Sequence, residues 1–114
     1  MIRIYNKSDE LELKNVDIDF KNSSMNLGRE YSDDISIVLK GCCGYDTIQK
    51  IIELKEKVGS TWSVDMHFGI EKTLTYGRLA MKGFDFKFER RPGVLPEEVF
   101  RYEIRLAATM RKQG

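Results

Sequence analysis

Hydrophobic and polar residues alternate along most of the chain. Leu11 and Leu13 alternate with Glu12 and Lys14, and Val16, Ile18 and Phe20 alternate with Asp17 and Asp19. A period of two puts successive side chains on opposite faces, so these runs predict strands with one buried face. Asn15 separates them, which leaves open one bent strand or two short ones. Ile2–Tyr5 is a further short β-prone run. Ile35, Ile37 and Leu39 line one face of a strand over Asp34–Lys40, which Gly41–Gly44 closes. After residue 59 the pattern is again β. Trp62, Val64, Met66 and Phe68 share a face; Leu74, Tyr76 and Leu79 follow, with Gly77 marking a bulge or a close approach, and Gly83 breaks the run. Phe84, Phe86 and Phe88 alternate with Asp85, Lys87 and Glu89, and Phe100, Tyr102, Ile104 and Leu106 with Arg101, Glu103 and Arg105. Aromatic residues at such positions are expected in the core. The two charged faces are expected to pair across antiparallel strands.

One segment has the helical period instead. Ile48, Ile51, Ile52, Lys55 and Val58 form a stripe flanked by Leu54. Asp46 and Gln49 have the spacing of a capping box, Lys55 and Lys57 suit the last turn, and Gly59 suits the position after it. These signals predict one helix at about 46–58. Two stretches carry neither period. In Lys21–Asp33 the loop formers Asn22, Ser23, Ser24, Asn26 and Gly28 surround apolar Met25, Leu27 and Tyr31. This reads as a loop or arm that orders against a neighbour. Arg91–Glu98, marked by Pro92, Gly93 and Pro96, reads as a long loop whose tip is free to make contacts. The expected fold is α+β: a mainly antiparallel sheet, as a sandwich or partly closed barrel, with a single helix, residues 1–114 forming one domain.

Composition narrows the function. The chain is 41% hydrophobic and 32% charged with a net charge of +1, a globular balance. Its densest basic spots, Arg90–Arg91 and Arg111–Lys112, are too short for a phosphate-tracking stripe, which argues against a nucleic-acid partner. No apolar run approaches the ~20 residues of a membrane span, and Met1–Asp9 lacks a signal-peptide core, so no membrane partner is expected. Cys42 and Cys43 are adjacent, a strained arrangement for a disulfide and not the Cys-x-x-Cys spacing that tunes a thiolate. They read as small residues at a strand-to-helix turn in a protein from a reducing compartment. His67 is the sole histidine and stands in no catalytic or zinc-binding spacing. No catalytic residue, cofactor or metal site is therefore expected, and the chain is not expected to be an enzyme.

The order of pieces carries a resemblance. Ile35–Lys40, Tyr45–Val58, Trp62–His67, Leu74–Met81, Phe84–Glu89 and Phe100–Leu106 run as strand, glycine turn, capped helix and successive strands. The closing pair is Lys82-Gly83-Phe84-Asp85-Phe86 and Tyr102-Glu103-Ile104-Arg105-Leu106. This layout resembles the small tail and baseplate proteins of tailed bacteriophages and related contractile injection machines. The resemblance implies a non-enzymatic structural subunit. Its partners would be other copies of itself and neighbouring tail or baseplate proteins, and it would be assembled in the bacterial cytoplasm into the virion tail. Candidate protein-contact residues are Met25, Leu27 and Tyr31 in the arm, and Arg91, Val94 and Leu95 in the second loop. The competing expectation is a small inhibitor or regulator of one host protein.

Overall fold

The computed structural model describes residues 1–57, 59–67, 69 and 71–113, without the side chains of Leu27, Glu30 and residues 110–113. Among the described residues the elements are β1 (Ile2–Tyr5), β2 (Glu10–Leu13), β3 (Asp17–Leu27), β4 (Glu30–Cys43), α1 (Tyr45–Glu56), β5 (Trp62–His67), β6 (Thr73–Phe88) and β7 (Phe100–Gln113), with a 3₁₀ turn at Pro96–Glu98 before β7. All pairings are antiparallel, in the order β2-β1-β5-β6-β7-β4-β3, and the sheet does not close. The α+β class, mainly antiparallel with one helix, is the one the sequence predicts.

The long strand β6 joins the two halves of the sheet. Its first part pairs with β5 and its second with β7. Between them Gly77 and Arg78 lie opposite the single residue Ser63, and Arg78 takes a left-handed backbone conformation, φ 58°. Such a bulge bends a strand. A second irregularity leaves Lys82 unpaired between Met81 and Gly83, so Gly83 marks a bulge within a continuous strand rather than its end. The bent sheet folds over until Phe20 of β3 meets Tyr76 of β6, with ring centroids 4.9 Å apart. Ile48, Ile51 and Leu54 of α1 are buried in the enclosed core together with Ile4, Ile37, Leu39, Trp62, Val64, Met66 and Ile104. The choice at Asn15 is settled by topology. Asn15 has φ 53°, and β2 and β3 lie at opposite edges of the sheet.

Three expectations are corrected. First, Lys21–Asp33 is not a loop or arm. β3 runs unbroken to Leu27, Gly28 and Arg29 make a two-residue turn, and β4 leaves at Glu30 with Leu27 opposite Glu30. Gly28 has φ +72° while Arg29 does not have positive φ, the signature of the tight hairpin turn with glycine first. β4 pairs with β7 over the same stretch, Glu30 opposite Gln113, so β3, β4 and the end of β7 form a three-stranded ribbon. Second, Gly41 does not end β4. The strand continues through Cys43, which leaves Gly44 as the helix N-cap without a side-chain cap, and the Asp46–Gln49 capping box does not form. Asp46 instead sits in the first turn, where its charge suits the helix dipole. The helix ends at Glu56, and Val58 lies outside the described residues. Third, the Arg91–Glu98 loop is not free along its whole length: Arg91, Pro92, Gly93 and Leu95 are exposed, but it ends in a 3₁₀ turn, Pro96–Glu98. A Cβ on Gly44 would lie 3.2 Å from the Pro96 carbonyl oxygen, so the 3₁₀ turn is packed against the start of the helix.

Candidate functional site

The six sequence-predicted contact residues fall on two separate surfaces. Met25, Leu27 and Tyr31 lie at the tip of the β3–β4 ribbon, while Arg91, Val94 and Leu95 precede β7 at its other end. β7 is 14 residues long, so these surfaces stand about 40 Å apart at ~3.3 Å per residue. Met25 is exposed and pairs with Ser32; Tyr31 is exposed and pairs with Asn26, so the two side chains point to opposite faces. The Tyr31 hydroxyl donates to Ser24 Oγ at 2.9 Å, and Ser24 Oγ donates to Asp33 Oδ1 at 3.1 Å. This chain of hydroxyls ties the ring to the ribbon. The Leu27 side chain lies outside the described residues.

The ribbon also carries the long edge of the sheet. β3 is an edge strand of 11 residues, against 4 for β2 at the opposite edge. Its register against β4 has no bulge and its sequence no proline. Bulges, prolines and short length are the usual means of keeping other strands off an edge. The N–H and C=O groups that β3 turns away from β4 have no strand partner among the described residues. Asp17, Asp19, Lys21 and Ser23 are exposed on one face; Ile18 and Phe20 are half-buried on the other.

At the other end of the molecule the apolar inner face of the sheet outruns its cover. Phe84, opposite Ile104, is 6% exposed; Phe86, opposite Tyr102, is 48% exposed; Phe88, opposite Phe100, is 56% exposed. The expectation that all three phenylalanines are core is thus corrected after the first. The rings remain in contact, with centroids 5.4 Å apart for Phe84–Phe86, 6.1 Å for Phe86–Phe100 and 5.2 Å for Phe88–Phe100. Tyr45, the first residue of α1, is 65% exposed beside them. An open groove lined by Leu13, Cys43, Tyr45, Phe86 and Tyr102 runs past this end, and a smaller recess opens between Tyr45, Phe88 and the β6–β7 loop.

On the outer face the charges form a lattice, which between β6 and β7 does not join the partners directly opposite. The register sets Lys87 against Arg101 and Asp85 against Glu103, both like-charged. The ion pairs are diagonal instead: Arg105 with Asp85 at 2.9 Å, Arg101 with Glu89 at 3.6 Å. Lys40 reaches Glu103 at 3.4 Å from β4. Glu89 also holds Lys87 at 3.3 Å and Arg91 at 3.0 Å. Lys87, with Arg101 and Arg91, keeps its carboxyl below the usual glutamate range.

The remaining chemistry-bearing residues are scattered. His67 is exposed at the end of β5, its Nδ1 3.0 Å from Thr73 Oγ1. Cys42 and Cys43 are successive residues of one strand, so their thiols point to opposite faces and both are free. Cys42 is exposed. Cys43 is buried, and burial pushes its thiol up to about 11, which keeps it protonated at neutral pH. Burial also drives the Tyr102 phenol upward. Among the described residues no group of three or more His, Cys, Asp or Glu is placed to hold a metal ion. Sequence reasoning missed Tyr45, Phe86 and Phe88 as surface residues. Their alternation and helix position look the same whether or not anything covers them. No family model, curated protein or solved structure matches the chain.

Proposed function

We propose that the chain is a non-enzymatic subunit that works by joining other protein chains, and that β3 is its joining edge. The observation that carries this reading is the 11-residue β3, unpaired along its outer side among the described residues and free of proline and bulge. A second copy can add to it about a two-fold axis, extending the sheet with antiparallel strands. Charge selects the register. Centred on Phe20, the pairing sets Asp19 opposite Lys21 twice and Asp17 opposite Ser23. Centred on Lys21 it would set lysine against lysine, and centred on Asp19 aspartate against aspartate. Each favourable cross-strand pair is worth about 0.2–1 kcal/mol. An edge lysine usually discourages pairing; opposite Asp19 it does the reverse.

The finer form of the proposal is a tail or baseplate subunit of a phage-type particle. It is supported by the order of strand, helix and closing strands, and by a ribbon that reaches away from the body and lengthens the molecule to 58 Å. Sedimentation velocity from the micromolar to the millimolar range, alone and with the products of adjoining genes, tests it. Concentration-dependent self-association is expected. A chain that stays monomeric in every mixture contradicts the proposal. A stable one-to-one complex with one foreign protein, without self-association, would replace it with an inhibitor.

A further inference from the structure

The recess at the β6–β7 end is a second contact site, and its chemistry differs from that of the edge. Tyr45, Phe88, Pro96 and Val99 wall it, and its charged lining is Arg90 and Arg91. The two rings are among the most exposed large apolar residues described, and both are anchored on regular elements, α1 and β6. The loop that completes the walls is itself fixed: Glu89 N–H donates to Val99 O at 2.7 Å, Val94 N–H to Arg91 O at 3.1 Å, and the 3₁₀ turn packs on Gly44. A preformed recess of this kind loses little entropy on binding.

The charge balance says what should enter it. Of the two arginines in the recess, Arg91 is paired with Glu89, a carboxylate it shares with Lys87 and Arg101 of the outer face. No carboxylate is paired with Arg90 among the described residues. Glu97 and Glu98, the acidic residues of the same loop, line the neighbouring groove and not this recess. Aromatic anchors beside under-neutralised arginines are the composition of binding hot spots. We infer that the recess takes an acidic segment of a partner protein, an aromatic or large aliphatic side chain entering between Tyr45 and Phe88 and its flanking carboxylates meeting Arg90 and Arg91. The inference rests on the reading of the chain as a protein-joining subunit but does not use the β3 edge.

The test is an NMR titration of the ¹⁵N-labelled full chain with acetyl-Glu-Asp-Phe-Asp-Glu-amide and, separately, acetyl-Lys-Lys-Phe-Lys-Lys-amide at physiological salt. The acidic peptide is expected to shift the amides of Tyr45, Phe88, Arg90, Arg91, Val94 and Val99 saturably in the millimolar range, and the basic one not to. Phe88→Ala and Arg90→Glu, both at exposed positions, should each weaken the acidic peptide at least tenfold while the rest of the spectrum stays in place. Equal response to both peptides, shifts centred elsewhere, or no response overturns the inference. So does a response of the same amides to protein concentration alone, which would assign the recess to a second copy. If the peptide fails while self-association through β3 is seen, this inference falls and the proposed function stands. If both fail, the function falls as well.

Discussion

Phe84 and Phe86 are the same residue type two positions apart on one face of β6, and the structure gives them different energetic roles. Phe84 is enclosed between Ile104 and the helix side of the core, with Lys55 Nζ 6.0 Å from its ring centroid. Truncating it to alanine removes a buried ring and leaves a cavity, at a cost of ~3–5 kcal/mol. Phe86 is nearly half exposed. A fully buried phenylalanine is worth about 1.5–3 kcal/mol in transfer, and half of that, with the aromatic contacts to Phe84 and Phe100 adding a fraction, comes to about 1–2 kcal/mol. The expected difference between Phe84→Ala and Phe86→Ala is therefore about 2–3 kcal/mol. Urea unfolding of the two variants beside the wild type at neutral pH measures it. Equal losses, or a larger loss for Phe86, would refute the argument that the inner face loses its cover between these residues, and with it the recess as a surface.

Two glycines make a second contrast. A Cβ on Gly41 would lie 2.7 Å from the buried Tyr102 Oη, so Gly41→Ala should cost ~1–3 kcal/mol through displacement of a packed ring. A Cβ on Gly83 would lie 2.3 Å from the Arg105 guanidinium, a half-exposed group that swings aside, so Gly83→Ala should change urea stability by less than about 1 kcal/mol. Alkaline titration gives a third test. Cys43 and Tyr102 both hold their protons more tightly folded than unfolded. Their contribution is intact below the unfolded thiol value, ~8.5, and should be lost as pH rises through the folded Cys43 value of about 11. The urea midpoint should therefore fall over that interval, and Cys43→Ala should flatten the first part of the fall.

The helix was legible because its apolar stripe and basic last turn agree, although it starts one residue and ends two residues earlier than predicted, which leaves Gly59 two positions beyond the Lys57 cap. The strand pattern of Asp34–Lys40 does not say that Gly41, Cys42 and Cys43 continue pairing with β7. They do pair with it, and Tyr102 packs over Gly41, where a side chain would not fit. The ribbon was illegible for a different reason. Asn22, Ser23, Ser24, Met25 and Asn26 are exposed whichever face they point to, so no burial period marks them as strand. The local signal was Gly28 at the first position of a two-residue turn. Alternation also carries no topology. The runs ending at Leu13 and beginning at Asp17 look continuous, yet they form the two edges of the sheet. Of the six contact residues named from sequence, Arg91 and Val94 line the recess, while its aromatic walls come from positions whose pattern implies burial.

The central claim, that β3 pairs with a second copy in the register centred on Phe20, is tested most directly by exchanging its charges. Asp19 and Lys21 are both exposed, so Lys21→Asp, Asp19→Lys and the double exchange should all fold. Sedimentation equilibrium should show that each single variant loses self-association, because it sets like charges opposite each other twice, and that the double exchange regains it. Association unchanged by the single variants, or lost in all three, would contradict the account.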